Sequence, residues 1–446
     1  MRSLTAATFS ALVFVIGVTA VVSAEKAGNP SSPETVLYSF QNNPDGATPW
    51  AGLIADRAGN LYGTTYYGGP CCGTVYELSP PSLPGGSWTE QVLYSFQGGN
   101  DGGQPTAVLI MDGHGNLYGT TSNGGDGSSA CTYHCGGVFE LTPPAQPGGA
   151  WIFTALYAFQ GGSDGAAPMA SLLRDPGGNL YGTTSAGGDM LCTGGCGTVF
   201  ELFPPSAPGG AWAEKVLYSF HGWPDGYYPM AGLVFDAQGN LYGTTIQGGK
   251  FGGNLLCEGG CGTVFELLRP QPGHAWTKTE IYLFGGTDGV HPSGNLIVDG
   301  AGNFYGTTQM GGIGACSHRV GCGNIYELSP PSQSGGAWTA TNLYAFHGQE
   351  SGEGYSPMAG VIRDGLGNLY GTTLKGGSSK GSAAGTVFKL TRQPDGSYTK
   401  SQFDLSTVST GAQNPQGGLM FGPGKAVTGT GSAGGEVWGA VFSITP

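Results

Sequence analysis

At one recurring position of this chain an acidic residue stands directly before a glycine: Asp45, Asp101, Asp164, Asp225, Asp288 and Glu353. A proline follows each shortly after, at Pro49, Pro105, Pro168, Pro229, Pro292 and Pro357. A ring of six carboxylates could hold a cation or a basic ligand, because hard cations are bound by convergent oxygens. A calcium loop brings several oxygen donors within one short segment, and no Asp-x-(Asp/Asn)-x-(Asp/Asn)-Gly run is present. The commoner role of Asp-Gly is a turn, in which the carboxylate accepts local N–H groups and glycine takes positive φ. The turn is the stronger reading.

A second acidic series, Asp56, Asp112, Asp175, Asp236, Asp299 and Asp364, stands just ahead of Gly-Asn and reads as hairpin turns. A third, Glu77, Glu140, Glu201, Glu266 and Glu327, is replaced by Lys389 in the sixth copy. These glutamates are expected to meet backbone donors between repeats. Acid–base chemistry needs two carboxyls with split proton affinities at one place, whereas identical residues spread by symmetry are architectural. No Gly-x-Ser-x-Gly elbow occurs. The histidines are scattered: His221 and His347 share one repeat position, while His134 and His318 lie near cysteines. The pattern calls for no cofactor and no metal.

Ten cysteines form five close pairs: Cys71/Cys72, Cys131/Cys135, Cys192/Cys196, Cys257/Cys261 and Cys316/Cys322. Two thiols per repeat are too few for a zinc site, which takes four ligands. Five local disulfides are therefore expected, with the adjacent pair Cys71–Cys72 the most demanding geometrically. The aromatics outside the repeat pattern are candidates for recognition. Trp50, Tyr66 and Tyr67 lie near the first acidic turn, Trp223, Tyr227 and Tyr228 crowd the fourth, and Tyr355 follows Glu353. Such rings beside Asp45, Asp225 and Glu353 suit stacking of a sugar or peptide. By contrast, Trp88, Trp151, Trp212, Trp276 and Trp338 recur in register and read as packing.

Only 10% of residues are charged, and the formal net charge of -13 disfavours nucleic acid and anionic membrane. Residues 1–24 read as a secretory leader: Arg2 precedes an apolar stretch that ends at the small-residue site Val22-Ser23-Ala24. Residues 25–446 are expected to form one domain, and no later run is long enough to span a membrane as a helix.

What positions these residues is a repeat. Gly-Asn-(Leu/Phe)-Tyr-Gly-Thr-Thr occurs at residues 59–65, 115–121, 178–184, 239–245, 302–308 and 367–373, and a worn copy spans 424–430, all at intervals of 56 to 65 residues. Between copies, four β-type runs alternate with Gly- and Pro-rich turns. In residues 88–141 these are WTEQVLYSF, VLIM, NLYGTT and GVFEL. Four short strands per unit predict an all-β propeller blade, and seven units predict seven blades. The apolar run before the hairpin Asp is expected innermost, and Leu-Tyr-x-Phe outermost. Outer-type residues 35–40 precede the first inner strand and none follows Ile444. The N-terminal strand should therefore complete the last blade and remove two open edges. This order places the acidic turns and the Cys loops on one face.

The repeated Gly-Asn-Leu-Tyr-Gly-Thr-Thr and Gly-Thr-Val-Phe-Glu-Leu stretches resemble the bacterial extracellular GloVer tandem-repeat family, across nearly the whole chain after the leader. The resemblance implies an exported repeat protein and supplies no catalytic residues. No sorting tail is visible before Pro446, so a free secreted or periplasmic monomer is expected. The function expected is a binding or scaffolding module for a glycan or peptide. The alternatives are a polysaccharide-active lyase or hydrolase and a purely structural envelope component.

Overall fold

The computed structural model describes residues 34–83, 85–125, 135–146, 148–207, 209–250, 257, 259–271, 273–312, 316, 321–333, 335–348, 351–377, 384–405, 411–434 and 438–446. The predicted leader and Cys131 lie outside them, as do His134 and His318.

Seven four-stranded antiparallel sheets follow one another along these residues. The first blade runs from Ile54–Ala55 through Leu61–Thr65 and Thr74–Ser79 to Thr89–Ser95. The next five repeat this plan, and all seven sheets make the β-propeller expected from the repeat. The innermost strands are shorter than the apolar runs suggest. Each pairs over two residues, as in Leu173–Arg174 and Val234–Phe235. The second strands carry the Tyr-Gly-Thr-Thr motif and are buried throughout, as at Leu180–Thr184. Their glycine is required by crowding: a Cβ on Gly182 would lie 2.5 Å from the Phe200 ring.

The seventh blade is assembled from both chain ends. Met420–Phe421, Val427–Gly431 and Ala440–Ile444 supply three strands, and Thr35–Ser39 supplies the fourth. Thr35 pairs with Ser443, Val36 with Phe442, Tyr38 with Val441 and Ser39 with Ala440. Phe40, Leu53, Tyr76 and Val441 then share one core cluster that joins the last blade to the first.

Neighbouring blades are fastened by one repeated device. The glycine that opens each third strand packs under the proline leading into the next blade. A Cβ would lie 2.9 Å from Pro105 Cδ at Gly73, 2.7 Å from Pro229 Cδ at Gly197, and 2.4 Å from Pro49 Cδ at Gly439. The second-strand threonine adds a hydrogen bond across the junction. Thr120 Oγ1 donates to the Ala170 carbonyl at 3.3 Å, and Thr430 Oγ1 to the Ala51 carbonyl at 2.8 Å. The junction between the seventh and first blades is thus built like the others, so the ring is closed.

The axis is packed by small residues where the chain enters each inner strand. A Cβ on Gly52 would come within 2.7 Å of the Gly418 carbonyl. Asn295 reaches across this region: its Oδ1 accepts the Gly232 N–H at 2.7 Å and its Nδ2 donates to Ser171 Oγ at 3.2 Å. The recurring tryptophans pack against neighbouring cores, Trp151 on Tyr62 at 6.4 Å and Trp338 on Tyr242 at 6.2 Å.

One outer-strand position faces the adjoining blade with either sign of charge. Glu90, Glu214, Lys278 and Lys400 occupy it, opposite Leu78, Leu202, Leu267 and Leu390 respectively. Lys278 Nζ meets Asp225 Oδ1 at 2.7 Å, and Lys400 Nζ meets Glu353 Oε1 at 3.1 Å. Glu90 and Glu214 each bury Oε1 without a hydrogen-bond partner among the described residues.

Candidate ligand-binding face

The acidic turns are fixed by their own strands. Tyr38 donates its hydroxyl to Asp45 Oδ2 at 2.8 Å, Tyr94 to Asp101 Oδ2 at 2.9 Å, Tyr218 to Asp225 Oδ1 at 2.8 Å and Tyr344 to Glu353 Oε1 at 2.6 Å. Backbone N–H groups take the remaining acceptor positions: Gln41 bonds Asp45, His221 bonds Asp225 and His347 bonds Glu353. Burial opposes ionisation of Asp225, but Lys278, the His221 N–H and the Tyr218 hydroxyl together hold the carboxyl below its ordinary range. Glu353 is held low in the same way, against burial, by Tyr344 and Lys400. Each of these acids therefore acts as a capped turn.

The hairpin aspartates on the opposite face are similarly engaged. Asp236 accepts the N–H groups of Gln238 and Asn240, the Asn240 amide and the Tyr242 hydroxyl. The third-strand glutamates differ from expectation. Glu140 and Glu201 accept the hydroxyls of Tyr118 and Tyr181 in their own blades, at 3.1 and 2.6 Å, in place of backbone donors between blades. The phenol is the nearer donor because Tyr181 pairs directly with Glu201 in the sheet register.

Disulfides occur at Cys71–Cys72, Cys192–Cys196, Cys257–Cys261 and Cys316–Cys322. Cys135 is also disulfide-bonded. The bridges press on the turn that leaves the outer strand. A Cβ on Gly98 would lie 2.6 Å from Cys72 Sγ, and one on Gly348 2.5 Å from Cys316 Sγ. They hold the Cys loops and the acidic turns together as one surface.

A feature that sequence reasoning missed lies between them. One residue per blade, just before the junction proline, takes positive φ without being glycine: Thr48 (φ 59), Gln104 (55), Ala167 (52), Tyr228 (57), His291 (57), Ser356 (61) and Asn414 (51). Non-glycine residues enter this region rarely, and such outliers cluster at functional sites. Each is clamped from both sides. Gln104 N–H donates to the Cys72 carbonyl of the preceding blade at 2.8 Å, and its own carbonyl accepts the Ser122 N–H at 3.3 Å. The other six repeat this double bond, so the backbone is constant while the side chain changes from blade to blade. The readable signal was the varied residue before each recurrent proline.

The predicted aromatics fall into two groups on this face. In the first blade, Trp50 and Tyr66 have ring centroids 4.2 Å apart, and Tyr67 stands edge-on to Tyr66 at 4.4 Å. Trp50 and Tyr66 are half-buried, while Tyr67 is 49% exposed. Three blades round the ring, Tyr227 and Tyr228 lie 5.0 Å apart, and the Tyr228 hydroxyl donates to the Thr193 carbonyl in the third blade's Cys loop. Trp223, in the same turn, is 55% exposed. Tyr355 pairs with Lys375 in a two-residue antiparallel ladder and packs on the fifth–sixth blade core. The two aromatic groups thus belong to different blades and do not form one cluster.

Comparison with known proteins follows the architecture. The Gloeobacter/Verrucomicrobia repeat matches residues 29–257 and 128–349. No curated protein is significantly similar in sequence. Among solved structures, a fungal alcohol oxidase of the AA5 family in complex with copper is similar at 16% identity and a TM-score of 0.53, over 93% of this chain and 77% of that one. An ancestral GH74 enzyme matches at 12% identity and a TM-score of 0.49 over 87% of this chain, which spans 55% of that structure's length. A luciferin-regenerating enzyme matches at 13% identity and a TM-score of 0.42, over 93% of this chain and 96% of that one. At these identities the likeness concerns the fold alone.

Proposed function

We propose that this chain, which belongs to the Gloeobacter/Verrucomicrobia repeat family, is an exported binding module that meets a glycan or peptide through the face bearing its Cys loops and acidic turns. The observation that carries the reading is the ring of clamped positions, constant in backbone and different in side chain at Thr48, Gln104, Ala167, Tyr228, His291, Ser356 and Asn414. Rigid frames with variable loops suit recognition. The aromatic groups around Trp50 and Tyr227 add apolar surface to that frame. The acids of the same face support binding over acid–base catalysis, since Asp45, Asp225 and Glu353 are engaged by Tyr hydroxyls and backbone N–H groups. The disulfides fit an oxidising compartment, and no helix among the described residues is long and apolar enough to cross a membrane.

The test is a glycan and peptide array probed with the purified chain. A ligand is expected whose binding weakens on Trp50→Ala, or on Trp223→Ala with Tyr227→Ala, while the melting curve is unchanged. Binding that maps instead to the Asp56/Asp112 hairpin face would refute the assignment. Shortening of a polysaccharide during incubation would favour a polysaccharide-active enzyme.

A further inference from the structure

Resting on the binding reading above, we infer that the junction of the first and second blades holds a subsite for one neutral pyranose ring. Two chemistries meet there. Trp50 and Tyr66 make an aromatic wall, their centroids 4.2 Å apart and planes inclined by 36°. The wall is immobilised because the Tyr66 hydroxyl donates to Gln104 Oε1 at 2.9 Å, and the Asn123 amide donates to the same oxygen. This leaves the Gln104 amide nitrogen as a donor and the Asn123 amide oxygen as an acceptor on the two joined amides, both without hydrogen bonds among the described residues. Both side chains are half-buried.

A pyranose matches this pair of features. One face of the ring presents C–H groups that stack on an aromatic, and adjacent hydroxyls both donate and accept. The amide pair would take two neighbouring hydroxyls while the wall takes the ring. Charge argues for a neutral sugar: Asp45, the acid of the first turn, is 3% exposed and already bonded by Tyr38 and Gln41, and among the described residues no Lys or Arg bonds to Gln104 or Asn123 to meet a uronate or sulfate. Backbone argues against an extended peptide, which needs an open strand edge. Here the edges are paired with each other, Ala47 with Tyr67 and Gly103 with Asn123.

The arrangement is specific to this junction. The residues equivalent to Gln104 and Asn123 are Ala167 and Ala186 in the next repeat, then Tyr228 and Gln247, His291 and Met310, Ser356 and Lys375, and Asn414 and Ala433. None of these pairs combines two amides. Trp50 likewise gives way at its equivalent positions to Thr106, Met169, Met230, Ser293, Met358 and Gln416.

The experiment titrates the full chain with neutral hexasaccharides of β-1,4-glucan, β-1,4-xylan, β-1,4-mannan and β-1,3-glucan, by calorimetry and tryptophan fluorescence. At least one should bind and shift the emission. Trp50→Ala should weaken it about tenfold or more, as loss of a central aromatic anchor does. Gln104→Glu, which keeps the size and removes the donor, should weaken it about fivefold or more, with an unchanged melting curve. If a hexasaccharide binds with the same affinity to both variants, the subsite is overturned while the binding face stands. If none binds and an array peptide does, the sugar assignment is overturned. If neither binds, the subsite and the binding reading fall together.

Discussion

Replacing Glu90 and Glu214 by glutamine should stabilise the protein above neutral pH and leave it nearly unchanged near pH 5. Burial, and then the charge of Asp45, raises the Glu90 carboxyl from 4.5 to about 7. Burial and Asp164 do the same to Glu214, also to about 7. The other groups facing Glu90 are the phenols of Tyr38 and Tyr76, which stay protonated in this range. Since the folded carboxyls hold protons more tightly than the unfolded ones, stability is lost as pH rises from about 4.5 to about 7 and stays reduced above that. At full strength the shift is worth about 3 kcal/mol per group, from 1.36 kcal/mol per tenfold change in proton affinity. Both side chains retain solvent contact, and screening reduces this to about 1–2 kcal/mol each. The double glutamine variant should therefore gain about 2–4 kcal/mol over the parent at pH 8.5, and little at pH 5, in urea denaturation followed by fluorescence. Lys278→Gln supplies the contrast. It removes the cation paired with Asp225 and Glu280 and should cost about 1–3 kcal/mol at pH 8.5, where the double glutamine variant gains. A difference curve between double variant and parent that is flat from pH 5 to 8.5 would refute the reasoning.

Three further outcomes are expected. Phe40→Ala removes a fully buried ring at the closing blade and should cost about 3–5 kcal/mol, and removal of residues 34–41 should lower the melting temperature far more or abolish the soluble monomer. Replacing Cys192 and Cys196 together by serine should cost about 2 kcal/mol, since the closed loop is short, and non-reducing peptide mapping should recover that bridge and the Cys71–Cys72 one within single repeats. Gly98→Ala should destabilise by about 1–3 kcal/mol, read by urea denaturation, because φ is 77° and the methyl group would meet Cys72 Sγ.

The architecture was legible because it is periodic. The heptapeptide locates every second strand, the hairpin Asp fixes the turn before it, and the unmatched outer strand at residues 35–40 implies closure by the N-terminus. Local disulfides follow from pairs confined to one repeat. What was not legible depends on which side chains meet across a junction. That Glu90 faces Asp45 while Lys278 faces Asp225 requires the register of the outer strand, including the irregularity between Val75 and Tyr76. The two amides at Gln104 and Asn123 are nineteen residues apart and come together only because Gly103 and Asn123 bridge. Polar loop residues carry no hydrophobic period, so nothing in the chain marks such a meeting in advance.

The closing strand also raises a question of identity. Its sequence, Val36-Leu37-Tyr38-Ser39-Phe40, recurs letter for letter at residues 92–96 and 216–220, so its side chains cannot distinguish the seventh blade from the first or third. Discrimination comes from connectivity: the other blades receive their own outer strand from the segment immediately following, and only the last is left waiting for a distant one. The first strand synthesised must therefore stay unpaired until the last has been made. During that interval it fits equally well onto the vacant edge of another molecule. Local concentration favours the strand of the same chain. In a crowded compartment the same edge invites exchange, and a head-to-tail chain of borrowed strands becomes the characteristic error of this fold.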